Sequence, residues 1–399
     1  MTARRKHIYA RVSLQTGERL SDWHNIRFTN CRKALNAGLA ECVFELGEEF
    51  DYDGNDLLVG NDVELIVADA DTTSGGHDGS GTRLIYKGYI SLIERVVDHS
   101  SEKIIVHLLG YYTLLSLDVL KSGTQTTLYS TAAGLTTTSG SQAAGDVGIL
   151  MREIIDQYRA ETVNPKLYYN GENDIPDTGT SVTYTFQRKT YRQAIDTLKS
   201  FAPDGVYWYV DETGRVTFKP KPASATHTFV FGAHFSTVRI EQSLEKVRNF
   251  VLVWDGASLH AHYQDNASIT KYGRRVEIAN DYGIANANAS DEFGAKFLAE
   301  AKQPSVKVVC TILDNSGGAL GYDIESIQPG DTCKFVGFGS GVSDAFHDNM
   351  LITSVDYSLE QATIEVEIIR SGLLDRQTRQ SQDISDIASG GLGVPASYS

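Results

Sequence analysis

The sequence predicts a mainly β protein with α+β insertions: two similar β-barrel domains, the second discontinuous, plus two smaller α/β domains. Three observations carry this reading. The first is an internal echo. A turn at Gly60, Asn61 and Asp62 leads into an apolar strand (63–67), a Gly-rich loop (74–81), a second strand (84–90), a polar turn (98–103) and a strand of branched residues (104–109). The same punctuation returns at Pro329, Gly330 and Asp331, followed by 333–338, 337–343, 350–355, 358–361 and 364–369. The second is the run of short apolar stretches between turn residues, the pattern of an all-β sandwich or barrel. The third is that amphipathic helix patterns interrupt the strands in only a few places.

Residues 1–118 read as the first barrel. Cys42, Phe44 and Leu46 alternate with Val43 and Glu45, a strand with one buried face, whereas 104–109 is apolar on nearly both faces and must be covered on both. Residues 119–222 read as an α+β helix-hairpin domain. Its opening, 122–144, is rich in Thr, Ser, Gly and Ala. So little apolar surface cannot offset the entropy of ordering, so the stretch is expected to be a mobile loop or a segment packed by a neighbour. Asp146 then precedes a helical pattern with Val147, Leu150, Met151, Ile154, Ile155 and Tyr158 on one face. A second helix is announced by Thr190 and Gln193 in capping-box spacing, carries Tyr191, Ala194, Ile195 and Leu198 as its apolar stripe, and stops at Pro203, Asp204 and Gly205. A hairpin over 206–210 and 216–219 follows, with Gly214 supplying the positive φ of the turn.

Residues 223–257 and 304–372 read as the second barrel, with strands expected at 229–231, 238–241, 247–254 and 306–313 before the second copy of the echo. Residues 258–303 read as an inserted domain ending in a helix over 290–302, with Asp291 and Glu292 in its first turn and Pro304 beyond its end. Residues 373–399 turn polar, with Arg376, Gln377, Arg379 and Gln380, and are expected to form a flexible tail.

At 399 residues with 41% hydrophobic side chains, the chain can furnish several cores. A net charge of −15 argues against tight binding of a phosphate backbone, which needs Lys and Arg to displace condensed counterions. Either the partners are proteins or DNA passes without being held. Arg4, Arg5 and Lys6 precede Ile8, Ala10, Val12 and Leu14 at alternate positions, a strand pattern rather than an export signal, so a cytoplasmic site of synthesis is expected. No stretch approaches the roughly 18 apolar residues of a membrane helix. Cys31, Cys42, Cys310 and Cys333 lie far apart without a CxxC pair, which predicts buried reduced thiols.

Motifs for chemistry are lacking. There is no GxSxG elbow, HExxH or Walker loop. Gly337, Gly339 and Gly341 follow a strand but lack the third glycine spacing and the helix of a dinucleotide site, and read as a hairpin tip. His260 and His262 share a strand face without a third metal ligand nearby. Asp51, Asp53 and Asn55 open like a calcium loop, but Asp56 stands where glycine is needed and Asp62 where glutamate is usual. Asn266-Ala-Ser268 and Asn288-Ala-Ser290 match glycosylation acceptors only by chance in an unsecreted chain. No catalytic, cofactor or metal residue is nominated, and no enzymatic activity is expected.

One passage points to a family. Thr190 to Leu198, then Phe201, Gly205, Tyr207, Trp208, Tyr209, Val210, Asp211, Gly214, Val216, Phe218 and Pro220, resembles the helix-hairpin of phage tail and baseplate hub proteins. Val247, Arg248, Asn249 and Phe250 resemble the strand that follows there, and 327–331 resembles a later turn of such hubs. The resemblance implies a tail-tip hub with two tube-like barrels, three copies of which form a pseudo-sixfold ring. That ring would join the tail tube or a distal tail protein on one face to a fibre, spike or tape-measure protein on the other, in a virion assembled in the host cytoplasm. DNA would pass through the lumen without sequence-specific binding. Contacts are expected at strand edges and hairpins, including the loops 69–82 and 337–348. Two rival readings are a tail-tip enzyme cleaving cell wall or glycans, and a receptor-binding adhesin. The enzyme would need a carboxylate pair or metal site. The adhesin would need exposed aromatics, yet the 20 Tyr and 15 Phe fall mostly within strand and helix patterns.

Overall fold

The computed structural model describes residues 6–24, 26–46, 56–69, 82–97, 99, 102–120, 129–131, 145–182, 185–187, 189–203, 205–254, 259–280, 294–295, 297–299, 301–314, 322–337 and 350–367. The chain is mainly β. Its first unit comprises β1 (Lys6–Ser13), β2 (Arg19–Trp23), β3 (Ile26–Ala34), β4 (Leu39–Leu46), β5 (Asp62–Asp69), β6 (Thr82–Val97) and β7 (Glu102–Gly110), ordered 3-4-7-6-5-1-2 in space. That order begins on β3 and ends on β2, which are successive in the chain and do not pair. The sheet therefore curls until Trp23 at the end of β2 meets Phe44 of β4 across the interior, ring centroids 6.2 Å apart.

A 3-10 turn, Tyr111–Ser116, leaves this unit for an α+β module: β8 (Tyr129–Thr131), β9 (Gly145–Asp146), α1 (Val147–Glu161), β10 (Ser181–Val182), β11 (Thr185–Gln187), α2 (Tyr191–Phe201), β12 (Val206–Val210) and β13 (Val216–Pro220). Both helices start where side-chain caps satisfy orphan amides. The Asp146 carboxylate accepts from the Gly148 amide at 2.7 Å, and Thr190 and Gln193 form the reciprocal capping box. Trp208 of β12 is fully buried between helix and hairpin, where its indole N–H donates to Asp196 at 2.9 Å, as a buried indole must.

The second unit comprises β14 (His227–Val230) and β15 (Val238–Ser243). After an insertion containing β16 (Phe250–Trp254), β17 (Leu259–Gln264), α3 (Asn266–Tyr272) and β18 (Val276–Asn280), it resumes with β19 (Ser305–Leu313), β20 (Thr332–Val336), β21 (Met350–Tyr357) and β22 (Gln361–Glu367). Its spatial order is 14-20-21-22-19-15. Set beside 2-5-6-7-4-3 of the first unit, with β1 left out, strands occupy the same places in the same chain order. Direction agrees too. β14 runs parallel to β20, and β2, antiparallel to a strand that is antiparallel to β5, runs in the same sense as β5.

The likeness extends to single residues. β6 bulges against β7 between Ile90 and Leu92, and β21 bulges against β22 between Ile352 and Ser354. In each bulge the extra residue turns a hydroxyl onto the facing strand: Ser91 donates to the His107 carbonyl and Thr353 to the Glu365 carbonyl, both at 3.1 Å. Before each bulge sits one turn, at Gly60 (φ +97) and Gly330 (φ +95), whose amides donate to the carbonyls of Ile90 and Ile352. The structure therefore aligns Gly60 with Gly330, Ile90 with Ile352 and Leu92 with Ser354.

One strand differs from expectation. Residues 247–254 read from sequence as part of the second barrel, but β16 pairs with β17 and β18 in a separate three-stranded sheet. Its dense apolar run is explained by packing of Val251 and Val253 on Phe297 and Ala301, helical residues within the stretch expected to form a helix. Asn249, fully buried just before β16, sets the entry: it accepts from the Arg275 amide at 2.7 Å and donates to the Gly273 carbonyl at 2.8 Å. Residues 70–81 and 338–348 of the expected loops and the whole of 373–399 lie outside the described residues.

Candidate functional site

No cluster of three or more metal-ligating side chains exists among the described residues, so strand edges and apolar surfaces are the features with consequences for function. One such edge is already used within the chain. β21 pairs antiparallel with β3, Ser354 opposite Ala34 through Tyr357 opposite Cys31, which fuses the two units into one sheet and one continuous core. Pairing buries the seam: Cys31 is 0% exposed, Lys33 5%, Ser354 5% and Tyr357 3%. Burial pushes the Cys31 thiol up to about 12. The buried Lys33 ammonium is answered by Gln328 at 3.2 Å and Glu212 at 3.7 Å, as a buried charge requires. The β12–β13 hairpin lies over the seam. The Asn36 amide donates to the Trp208 carbonyl at 2.8 Å, Tyr207 donates its hydroxyl to the Gly330 carbonyl at 3.0 Å, and Leu35 and Leu351 cluster with Tyr207 and Tyr209.

Among the strand edges left without a partner among the described residues, two lie at matching places in the two units. β15 pairs only with β19, leaving its outer side open. β5 covers one side of β6 as far as Tyr89, and from Leu92 to Val97 no strand continues there. Apolar side chains are exposed along both: Ile240 at 44% and Leu244 at 43% on and just after β15, Leu92 at 47% and Val97 at 71% on β6. An edge with unpaired backbone groups and exposed apolar side chains is a template for another strand.

Beside the β6 edge lies an open cavity of about 410 Å³, lined by Gly60, Tyr89, Ser91, Leu114, Leu117 and Val163 among others. The α+β module forms its far wall and is tied to the first unit by Lys166, whose ammonium reaches Asp62 at 2.5 Å and the Gln15 carbonyl at 2.6 Å. Tyr111, in the 3-10 turn, also lines the cavity, and burial, followed by the charge of Asp62, pushes its hydroxyl up. At its rim Leu117 is 73% and Val163 88% exposed.

The residues weighed from sequence fall elsewhere. Asp51, Asp53 and Asn55 lie outside the described residues, as do Gly339, Gly341, Asn288 and most of the loops 69–82 and 337–348. His262 is exposed and stacks on Phe250, centroids 5.8 Å apart. Ser268 of the Asn266 sequon is buried and donates to the Lys302 carbonyl at 2.6 Å. All four cysteines are buried and free. Sequence reasoning did not single out the open stretch of β6. Its signal was length: sixteen strand residues facing a β5 of eight.

No family model matches the chain, and no curated protein does. Solved structures do. The 43 kDa tail protein of prophage MuSo2 from Shewanella oneidensis aligns with a TM-score of 0.59 at 14% identity, covering 91% of this chain and 98% of its own. The chain has the fold of phage tail proteins. A tail protein from Neisseria meningitidis MC58 aligns at 0.59 with 12% identity over 91% of this chain and 96% of its own. The prophage tail protein gp18 from Listeria monocytogenes EGD-e aligns at 0.53 with 9% identity over 95% of this chain and 99% of its own. Such coverage leaves no room to omit either β-unit, so the tail-protein fold takes in both units together with what joins them.

Proposed function

We propose that the chain is a non-enzymatic structural hub at the distal end of a phage tail. Three copies form a ring in which two β-units per chain present six similar elements to a sixfold tail tube. One face meets the tube or a distal tail protein, the other a fibre, spike or tape-measure protein, and DNA passes through the lumen during ejection. The observation that carries this reading is the repeated strand order, 2-5-6-7-4-3 and 14-20-21-22-19-15, within a tail-protein fold. A duplicated unit is the economical way for a threefold particle to meet a sixfold one. Within this reading 1–118 and the pair 223–257 and 304–372 are tube-like domains, less the strand Phe250–Trp254, which goes with the insertion. The α+β module at 119–222 takes an outer or distal position. Net acidity, −15 over the chain, suits a lumen that must release phosphates.

Mass in solution together with negative-stain images tests it. The expected result is a trimer with a pseudo-sixfold outline, alone or on the tube protein. A chain that stays monomeric at micromolar concentration, with no ring on its tube protein, refutes the proposal.

A further inference from the structure

We propose that β15 of one copy adds to the open edge of β6 in the next copy, in the register that β3 keeps on β21 within the chain, and that Leu244 fills the cavity beside Gly60. This rests on the ring reading and supplies its contact. The argument is an internal symmetry. β15 stands in the second unit where β3 stands in the first, each flanked by the strand that follows in its unit's order, β19 and β4. The matched bulges place Leu92, Ile93, Glu94 and Arg95 on Ser354, Val355, Asp356 and Tyr357. Pairing of β4 with β7 and of β19 with β22 places Cys31 on Ile240. Each unit thus owns the same edge and the same slot, but a single chain can join only one edge to one slot.

Carrying the β3–β21 register across sets Leu92 opposite Ser243, Ile93 opposite Gln242, Glu94 opposite Glu241 and Arg95 opposite Ile240 of the neighbouring copy. Burial agrees. Cys31 and Ser354, inside the existing seam, are 0% and 5% exposed, whereas their counterparts Ile240 and Leu92 are 44% and 47% exposed. One step further, the Leu35 amide donates to the Thr353 carbonyl at 2.8 Å and Leu35 packs near Leu351. The counterparts are Leu244, Ser91 and Tyr89, and the last two line the cavity. The exposed apolar residues of β6, of β15 and of the cavity rim are thereby covered by one contact. Glu94 meets Glu241 directly, a like-charge pair, and Arg239, which holds Glu241 at 2.7 Å, falls diagonal to Glu94 and compensates it. A contact of edge on slot is head-to-tail, and repeating it closes a ring or builds a filament according to its rotation.

Paired cysteines in the full chain test the register, because the native thiols are all buried. Leu92→Cys with Ser243→Cys should give, under mild oxidation, disulfide-linked species of two and three chain masses on a denaturing gel. Each single variant, and Leu92→Cys with Gln242→Cys, whose side chains would leave opposite faces of the sheet, should give none. Separately, Leu244→Asp should weaken assembly by roughly tenfold or more, by placing a charge in an apolar cavity, while leaving the monomer's thermal transition in place. Trimers that form with neither the cross-link nor sensitivity to Leu244→Asp refute the strand pairing and leave the ring standing. A chain that never associates removes both.

Discussion

Gly60 and Gly330 make the same turn with nearly the same φ, +97 and +95, yet their surroundings differ, so alanine at each separates backbone strain from packing. An L-residue held there costs about 1–3 kcal/mol at either site. At Gly60 the added Cβ would lie 3.1 Å from Gln15 Nε2, the end of a flexible, solvent-exposed side chain that donates to the Gly60 carbonyl at 3.0 Å and can swing aside into solvent. At Gly330 it would lie 2.5 Å from two ring carbons of Tyr207, which is buried over the seam and bonded to the Gly330 carbonyl. The ring cannot move without leaving that bond and its cluster, which adds about 1–3 kcal/mol of overpacking. Gly330→Ala should therefore cost about 2 kcal/mol more than Gly60→Ala. Denaturant unfolding followed by tryptophan fluorescence reads this directly, since Trp208 adjoins Tyr207 in the covering hairpin. The decisive measurement is a double-mutant cycle. In a Tyr207→Ala background the cost of Gly330→Ala should fall to the backbone share alone. Equal costs at the two glycines, or an unchanged cost of Gly330→Ala without the Tyr207 ring, would refute the account of the seam.

Three further outcomes are expected. Asn249→Ala strands the Arg275 amide and the Gly273 carbonyl beneath the insertion and should lower its stability by about 2–4 kcal/mol; hydrogen exchange would localise the loss to β16–β18 and spare the two β-units. Thr190→Ala removes the reciprocal cap of α2 and should cost about 1 kcal/mol, whereas Thr190→Ser should be nearly neutral, both measurable by thermal denaturation. The Asp146 carboxyl is raised by burial but held below its ordinary range by the Thr178 and Gly148 amides, which outweigh it. Because the folded value is the lower one, the stabilisation is present above the unfolded pKa of about 4 and is lost as pH falls through the folded value. Asp146→Asn should accordingly flatten the acid limb of the stability curve below about pH 4, and an unchanged limb would count against the cap.

Much of the fold was legible because it is written in local patterns. The capping box of Thr190, the cap at Asp146, the stripe of α2 and the glycine turns all act within a few residues, and each element stands where its signal lies. The open edges were harder to see. Ile240 and Leu92 look like ordinary strand residues, and exposure is a property of what fails to arrive beside them.

The amino-acid order alone predicted a mainly β chain and pointed to an internal duplication, because turn chemistry and side-chain alternation are short-range. Which strand pairs with which was settled only in three dimensions. The apolar run at Phe250–Trp254 fits a barrel strand and an insertion strand equally well, and its partners β17 and β18 decide between them. Likewise, nothing local announces that β3 is spoken for by β21 while its twin β15 has no second partner among the described residues. Backbone edges are chemically alike along every strand, so their occupancy depends on long-range packing and not on any local signal.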